Sequence, residues 1–179
     1  ARTFRVPPVT DTTVVWSGVA WSPERKLLVM CGQSGIDEQI ITSPDGITWT
    51  VRSSPSLTVW SSIVWASSLG LFVVVGIFGT GTRVMTSADG ITWTIRSSAP
   101  SFTWQSLAWS PDRGLLVAVA LWSNGNAVMT SSDGITWSLK SSPTVGDWRE
   151  VIWSAERGLF LAVGVTGVGN RVMTCLNVR

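Results

Sequence analysis

The chain has 179 residues and a net charge of +2, and its charged groups make up only 13 % of it, about half the usual share. It contains no His and no Tyr, which removes a histidine base, a histidine metal ligand and an imidazole pH switch. The 13 basic residues are scattered without a basic run, so no nucleic acid partner is expected. The longest apolar stretch, Leu71 to Phe78, is too short to cross a bilayer, and no membrane insertion is expected.

What the chain has in excess is Trp, 12 of them, and hydroxyl side chains, 43 Ser and Thr, close to a quarter of all residues. The tryptophans are periodic. Trp16, Trp60, Trp104 and Trp148 stand 44 residues apart, as do Trp21, Trp65, Trp109 and Trp153, and Trp49, Trp93 and Trp137. Thr42, Thr86, Thr130 and Thr174 keep the same spacing. A period of this length containing several short apolar runs is the pattern of propeller blades. The predicted class is all-β: a small four-bladed β-propeller forming one domain over 1–179. The blades cover about 14–52, 58–96, 102–140 and 146–176, the last completed by an N-terminal strand, 2–6.

Taken in chain order, each unit predicts four strands. The first is Trp60 to Trp65 and its copies. The second, such as Leu71 to Val75, is apolar at consecutive positions, so both its faces should be buried. The third is Arg83 to Thr86 and its copies. The fourth, Ile47 to Arg52, alternates, which predicts Ile47, Trp49 and Val51 inward and Thr48, Thr50 and Arg52 toward water.

Strands three and four are joined by Ser43-Pro-Asp-Gly-Ile-Thr-Trp49, Ser87-Ala-Asp-Gly-Ile-Thr-Trp93 and Ser131-Ser-Asp-Gly-Ile-Thr-Trp137. Asp-Gly between alternating runs is a strong hairpin signal. Gly46, Gly90 and Gly134 can take positive φ without steric cost. Asp45, Asp89 and Asp133 can accept bonds from turn amides, with Trp49, Trp93 and Trp137 packed beneath. These residues resemble the Asp-box of sialidase-like propellers, shortened by one residue between Asp and Gly, a variant similar to repeats of uncharacterised bacterial and bacteriophage proteins. The resemblance implies a propeller in which these hairpins are structural. Sialidase chemistry needs a Tyr nucleophile and is excluded.

The fourth unit runs through Thr174 without a fourth strand. At the other end, Thr3-Phe4-Arg5-Val6 aligns with Thr48-Trp49-Thr50-Val51, Phe replacing Trp. Closure within one chain is the favoured reading. Closure between two chains in an eight-bladed ring fits the same register.

No acid–base or nucleophile–base pair can be nominated, so no enzyme, cofactor or metal site is expected. Cys31 and Cys175 are expected to be free thiols. Trp21 and its copies are read as packing between blades, whereas Trp60 and Trp104, at the start of their strands, are candidates for partial exposure. Glu24-Arg25, Asp112-Arg113 and Glu156-Arg157 are read as solvated turn charges. The loops between second and third strands break the repeat most. Aromatics there are plausible contacts, and Trp122, Phe78, Trp60, Trp104 and Asn124 make up the predicted ligand or partner surface. The expected function is a non-catalytic scaffold for a protein partner or self-assembly, as a virion or extracellular surface component. The alternative is a lectin-like module stacking Trp on a glycan.

Overall fold

The computed structural model describes residues 7–10, 12–33, 37, 39–78, 83–96, 101–121, 128–142, 146–166 and 171–175. Each repeat unit forms one antiparallel sheet. The first blade comprises β1 (Val15–Ser22), β2 (Leu27–Gln33), β3 (Ile40–Ser43) and β4 (Thr50–Arg52). The second comprises β5 (Trp60–Ala66), β6 (Leu71–Gly76), β7 (Val84–Ser87) and β8 (Thr94–Ile95). The third comprises β9 (Thr103–Ser110), β10 (Leu115–Leu121), β11 (Val128–Ser131) and β12 (Ser138–Lys140). The fourth comprises β13 (Trp148–Ser154), β14 (Leu159–Gly164) and β15 (Val172–Cys175). Strand order follows the chain within each sheet, so every connection is a short hairpin. The all-β class and the propeller-type blades are as expected. The N-terminal strand 2–6 lies outside the described residues.

The second strands of the two inner blades are buried along nearly their whole length, as their unbroken apolar runs require. In the first and fourth blades β2 and β14 are only partly covered, because among the described residues each packs against a neighbouring blade on one side alone. The fourth strands are shorter than predicted. Ile47, Ile91 and Ile135 are 55 %, 47 % and 42 % exposed; they belong to the turn, not to an inward-facing strand position. Arg52 is half-buried rather than solvated, its Nε donating to Thr42 Oγ1 at 2.9 Å, and Arg96 does the same to Thr86 at 2.8 Å.

The same irregularity recurs in every first strand. The pairing register shifts between Trp16 and Gly18, Trp60 and Ser62, and Trp148 and Glu150, and opposite Trp104 between Val119 and Ala120. This is a β-bulge, and the extra residue inverts the inside–outside alternation beyond it. In the second blade Trp60, Ile63 and Trp65 consequently pack into one cluster with Phe72, Val74, Met85 and Trp93, against Val29, Cys31 and Ile40 of the first. Equivalent clusters join the second blade to the third and the third to the fourth.

The bulged residue also ties neighbouring blades together. Ser17 Oγ donates to the Trp60 carbonyl at 2.5 Å, and Ser61 Oγ to the Trp104 carbonyl at 2.6 Å. One residue on, Ser62 Oγ accepts the Leu107 amide at 3.2 Å and Ser106 Oγ the Val151 amide at 3.1 Å. β1 therefore packs on β5, β5 on β9 and β9 on β13. Among the described residues no comparable packing joins β13 to β1. Val19 and Trp21 on the first blade stay 59 % and 47 % exposed, and Ile152, Val163 and Val172 on the fourth 49 %, 40 % and 63 %.

Carboxylates on the turns between first and second strands add a clasp. Trp65 Nε1 donates to Glu24 at 2.7 Å and Trp153 Nε1 to Asp112 at 3.2 Å. The seam between the second and third blades lacks this clasp, because Ser68 stands where the others have an acid, and the buried Trp109 Nε1 is left without a partner among the described residues. Ser68→Glu should supply the acceptor and raise stability by about 0.5–1.5 kcal/mol. Urea denaturation measures this, and an unchanged or lowered midpoint would count against the clasp.

Candidate functional site

The loops between second and third strands supply one surface candidate. Phe78, two residues after β6, is 59 % exposed. Trp122 and Asn124 lie outside the described residues. Trp60 and Trp104 are not surface residues: both are 0 % exposed, and Trp148 is 1 % exposed. The bulge explains the correction, since it puts each of these rings on the strand face that meets the preceding blade. Trp60 Nε1 is also held, donating to Ser54 Oγ at 3.1 Å. Trp16, which has no described blade before it, is half-buried. The other Trp set is correspondingly less enclosed than its packing role suggested. Trp65, Trp109 and Trp153 are half-buried and Trp21 is exposed, with the described Nε1 bonds running to the rim of the preceding blade.

Five of the acidic residues form two structural sets, Asp45, Asp89 and Asp133 in turns and Glu24 and Asp112 at seams. Asp45 Oδ1 accepts the Ile47 and Thr48 amides at 2.8 and 2.7 Å, and Ser43 Oγ accepts the Gly46 amide at 2.8 Å. Asp89 and Asp133 repeat this arrangement. Gly46, Gly90 and Gly134 take φ of 72°, 75° and 73°, a region a side chain would strain. The indoles of Trp93 and Trp137 close the turns from below, donating to the Gly90 and Gly134 carbonyls at 3.2 and 3.3 Å. The amides of Thr48 and then Ile47 hold Asp45 down at about 2. At Asp89 and Asp133 desolvation pushes upward, but turn amides and the serine hydroxyl outweigh it and the net shift is downward. These are turn anchors, ionised near neutrality and unsuited to donating a proton there.

The second set, Glu24 and Asp112, was expected to be solvated turn charge. Both instead accept indole N–H groups from the next blade. Arg113 lies 5.3 Å from the Trp153 ring centroid and donates to the Gly158 carbonyl at 2.5 Å. Side chains that look solvated in a linear reading thus reach across a seam.

Cys31 and Cys175 are free thiols, as expected. Burial pushes Cys31 up to about 12, which makes it an inert packing residue. Among the described residues no three His, Cys, Asp or Glu side chains gather into a metal-binding cluster. The concavities are of two kinds, and one beside the second Asp–Gly turn is lined by Thr86, Ser87, Asp89 and Arg96. A cavity of about 130 Å³ lies between the third and fourth blades, and shallower grooves open on the free faces of the first and fourth.

No known protein family matches the chain, and no curated protein matches it. Solved structures do. A chain of a nidogen–laminin complex is 17 % identical with a TM-score of 0.66, over 84 % of this chain and 57 % of that one. YCF48 from Cyanidioschyzon merolae is 15 % identical with a TM-score of 0.66, over 96 % of this chain and 56 % of its own; YCF48 bound to D1 peptide is similar too. The β-propeller domain of Cps50 (Swd1) from Myceliophteria thermophila is 12 % identical with a TM-score of 0.60, over 90 % of this chain and 53 % of that one. At these identities the shared property is the fold, that of β-propellers. The chain spans just over half the length of these structures, and the similar folds include an enzyme, streptogramin B lyase.

The turn carboxylates make a pH prediction. Their folded-state values lie below the ordinary 3.8. The stability they contribute is therefore fully present above that value and is lost as pH falls toward about 2, the value for Asp45. Asp89→Ala should lower stability at neutral pH by about 1–2 kcal/mol, through lost turn-amide bonds. Asp89→Asn should make the loss below the ordinary value of 3.8 shallower than in the unsubstituted protein. Thermal melts across that range test both, and superimposable pH profiles would remove the turns from the account.

Proposed function

We propose that this chain is a non-catalytic propeller scaffold, a single domain that binds a protein partner or assembles with itself. The observation that carries this reading is the placement of exposed apolar side chains. Val19 and Trp21 stand on one free blade face, Ile152, Val163 and Val172 on the opposite one, and Phe78 beside a loop. Exposed apolar groups gathered on faces are what protein interfaces use. Asp45, Asp89 and Asp133 serve turns and Glu24 and Asp112 serve seams, which supports binding over acid–base chemistry at these carboxylates. The similar structures in a nidogen–laminin complex and with D1 peptide are of proteins in complexes, and protein binding comes to this chain from them by analogy.

The finer reading, a virion or extracellular surface component, rests on the low charge, the hydroxyl-rich composition and the likeness of the Asp–Gly hairpins to Asp-box repeats of bacteriophage proteins. The lectin alternative loses two of its anchors, Trp60 and Trp104, to the core and keeps Phe78. Glycan-array binding with the unsubstituted chain and Phe78→Ala separates the two readings. The scaffold reading expects no saccharide signal above background. A saccharide bound by the unsubstituted chain and lost in Phe78→Ala, at unchanged melting temperature, would replace it with the lectin.

A further inference from the structure

A basic residue recurs at one repeat position in three blades. Arg52, Arg96 and Lys140 stand 44 residues apart, and all three are half-buried. Strand pairing gives each the same surroundings. Arg52 lies opposite Ile40 and Thr50 opposite Thr42, and Lys140 lies opposite Val128 and Ser138 opposite Thr130. In the second blade Thr94 lies opposite Thr86, and the Arg96 amide donates to the Val84 carbonyl at 2.8 Å. Residues two apart on a strand share a face with their cross-strand partners. A cation and two hydroxyls are therefore brought together on one face of each of these sheets.

In the first two blades the cation is built in the same way. Arg52 Nε donates to Thr42 Oγ1 at 2.9 Å and Arg96 Nε to Thr86 Oγ1 at 2.8 Å. Both threonines are 1 % exposed, so the acceptor is a fixed one. A planar guanidinium held at Nε has its outer edge fixed in direction, with the donors of both terminal nitrogens along it. Among the described residues neither guanidinium makes an ion pair or a second side-chain bond. Arg96 lines a groove of about 240 Å³ together with Leu71, Thr86, Asp89 and Thr94. The acid in that groove does not pair with the arginine. Asp89 Oδ1 instead accepts the Ile91 and Thr92 amides at 2.8 and 2.7 Å and the Ser87 hydroxyl at 2.9 Å, so its charge is committed to the turn.

We propose that this groove takes the carboxylate side chain of an acidic segment of a partner protein, held by the outer edge of Arg96 beside the Thr94 hydroxyl. Arg52 offers the equivalent contact one blade earlier. An oriented guanidinium matches the two oxygens of a carboxylate as a fork. Asp89 at the groove wall repels a doubly charged phosphate more than a singly charged carboxylate. Leu71 gives the methylenes of a glutamate an apolar wall, which suits an amino-acid side chain better than a hydroxylated sugar ring. The proposal rests on the scaffold reading above and names the chemistry of its partner.

The test uses the 179-residue chain and a fluorescent peptide of alternating Glu and Ser, with a Gln counterpart, followed by anisotropy at low ionic strength. The Glu peptide should bind saturably and the Gln peptide should not. Arg96→Gln should weaken binding about tenfold, the loss of a charge-assisted bond. Arg96→Lys, which keeps the charge and removes the fork, should weaken it nearly as much. Thr86→Val, which changes no charge and removes the acceptor of Nε, should weaken it too, and Thr86→Ser should restore it. Arg157→Gln makes the same charge change at an exposed turn outside the groove and should leave binding unaltered. Circular dichroism checks that each variant is folded. No binding of the Glu peptide, an equal loss with Arg157→Gln, or full binding by Arg96→Lys each overturns the proposal. So does an oligogalacturonate that binds where the Glu peptide does not. A chain that binds another protein equally well with and without Arg96→Gln leaves the scaffold reading standing and removes only this site.

Discussion

Everything in this structure depends on how one blade meets the next. A single sheet of four short strands cannot enclose its own apolar side chains, so each blade is folded only as far as its neighbour covers it. The contact is made by large rings. Trp60, Trp104 and Trp148 are all but inaccessible, and each lies in the cluster shared with the preceding blade. Polar bonds fix the register of that apolar contact. A bulged serine reaches the tryptophan carbonyl of the next blade, and the following serine receives an amide from it. Buried hydroxyls with good partners lose nothing to desolvation and specify one alignment out of several.

The same constraint explains why the four units differ although their sequences run in register. The inner blades have covered second strands and the outer blades do not. Residues at one repeat position change character with the presence of a neighbour: Ile63 is 5 % exposed and its counterpart Val19 is 59 % exposed. Exposure here reports the absence of a blade, not a different residue type.

The blades and turns were legible in the sequence because their causes are local or periodic. The 44-residue spacing gives the sheets, and Ser-x-Asp-Gly gives a turn whose bonds lie within a few residues of one another. The bulge was not legible. Nothing in Trp-Ser-Ser-Ile-Val-Trp announces that one residue will be squeezed out of register, yet that residue decides which tryptophans are core. A place at the start of a strand therefore suggested partial exposure for Trp60 and Trp104, which the bulge buries. The clasps were hidden for a related reason: Glu24 and Trp65 are 41 residues apart, and only the assembled arc brings them together. A signal was present, however, since Glu24, Asp112 and Glu156 recur at one repeat position, as Asp45, Asp89 and Asp133 do in the turns.

The central claim is that the seams between blades, and the serine bonds within them, hold the fold. Native-state hydrogen exchange at the amides of Leu107 and Val151 tests it most directly. Each sits in a seam and bonds a hydroxyl of the preceding blade. The account predicts that both exchange only with global unfolding, and that Ser62→Gly, the residue found at the first-blade position, speeds Leu107 while leaving Val151 slow. Exchange at Leu107 and Val151 as fast as at exposed turn amides would show that the blades are held together by something other than these seams.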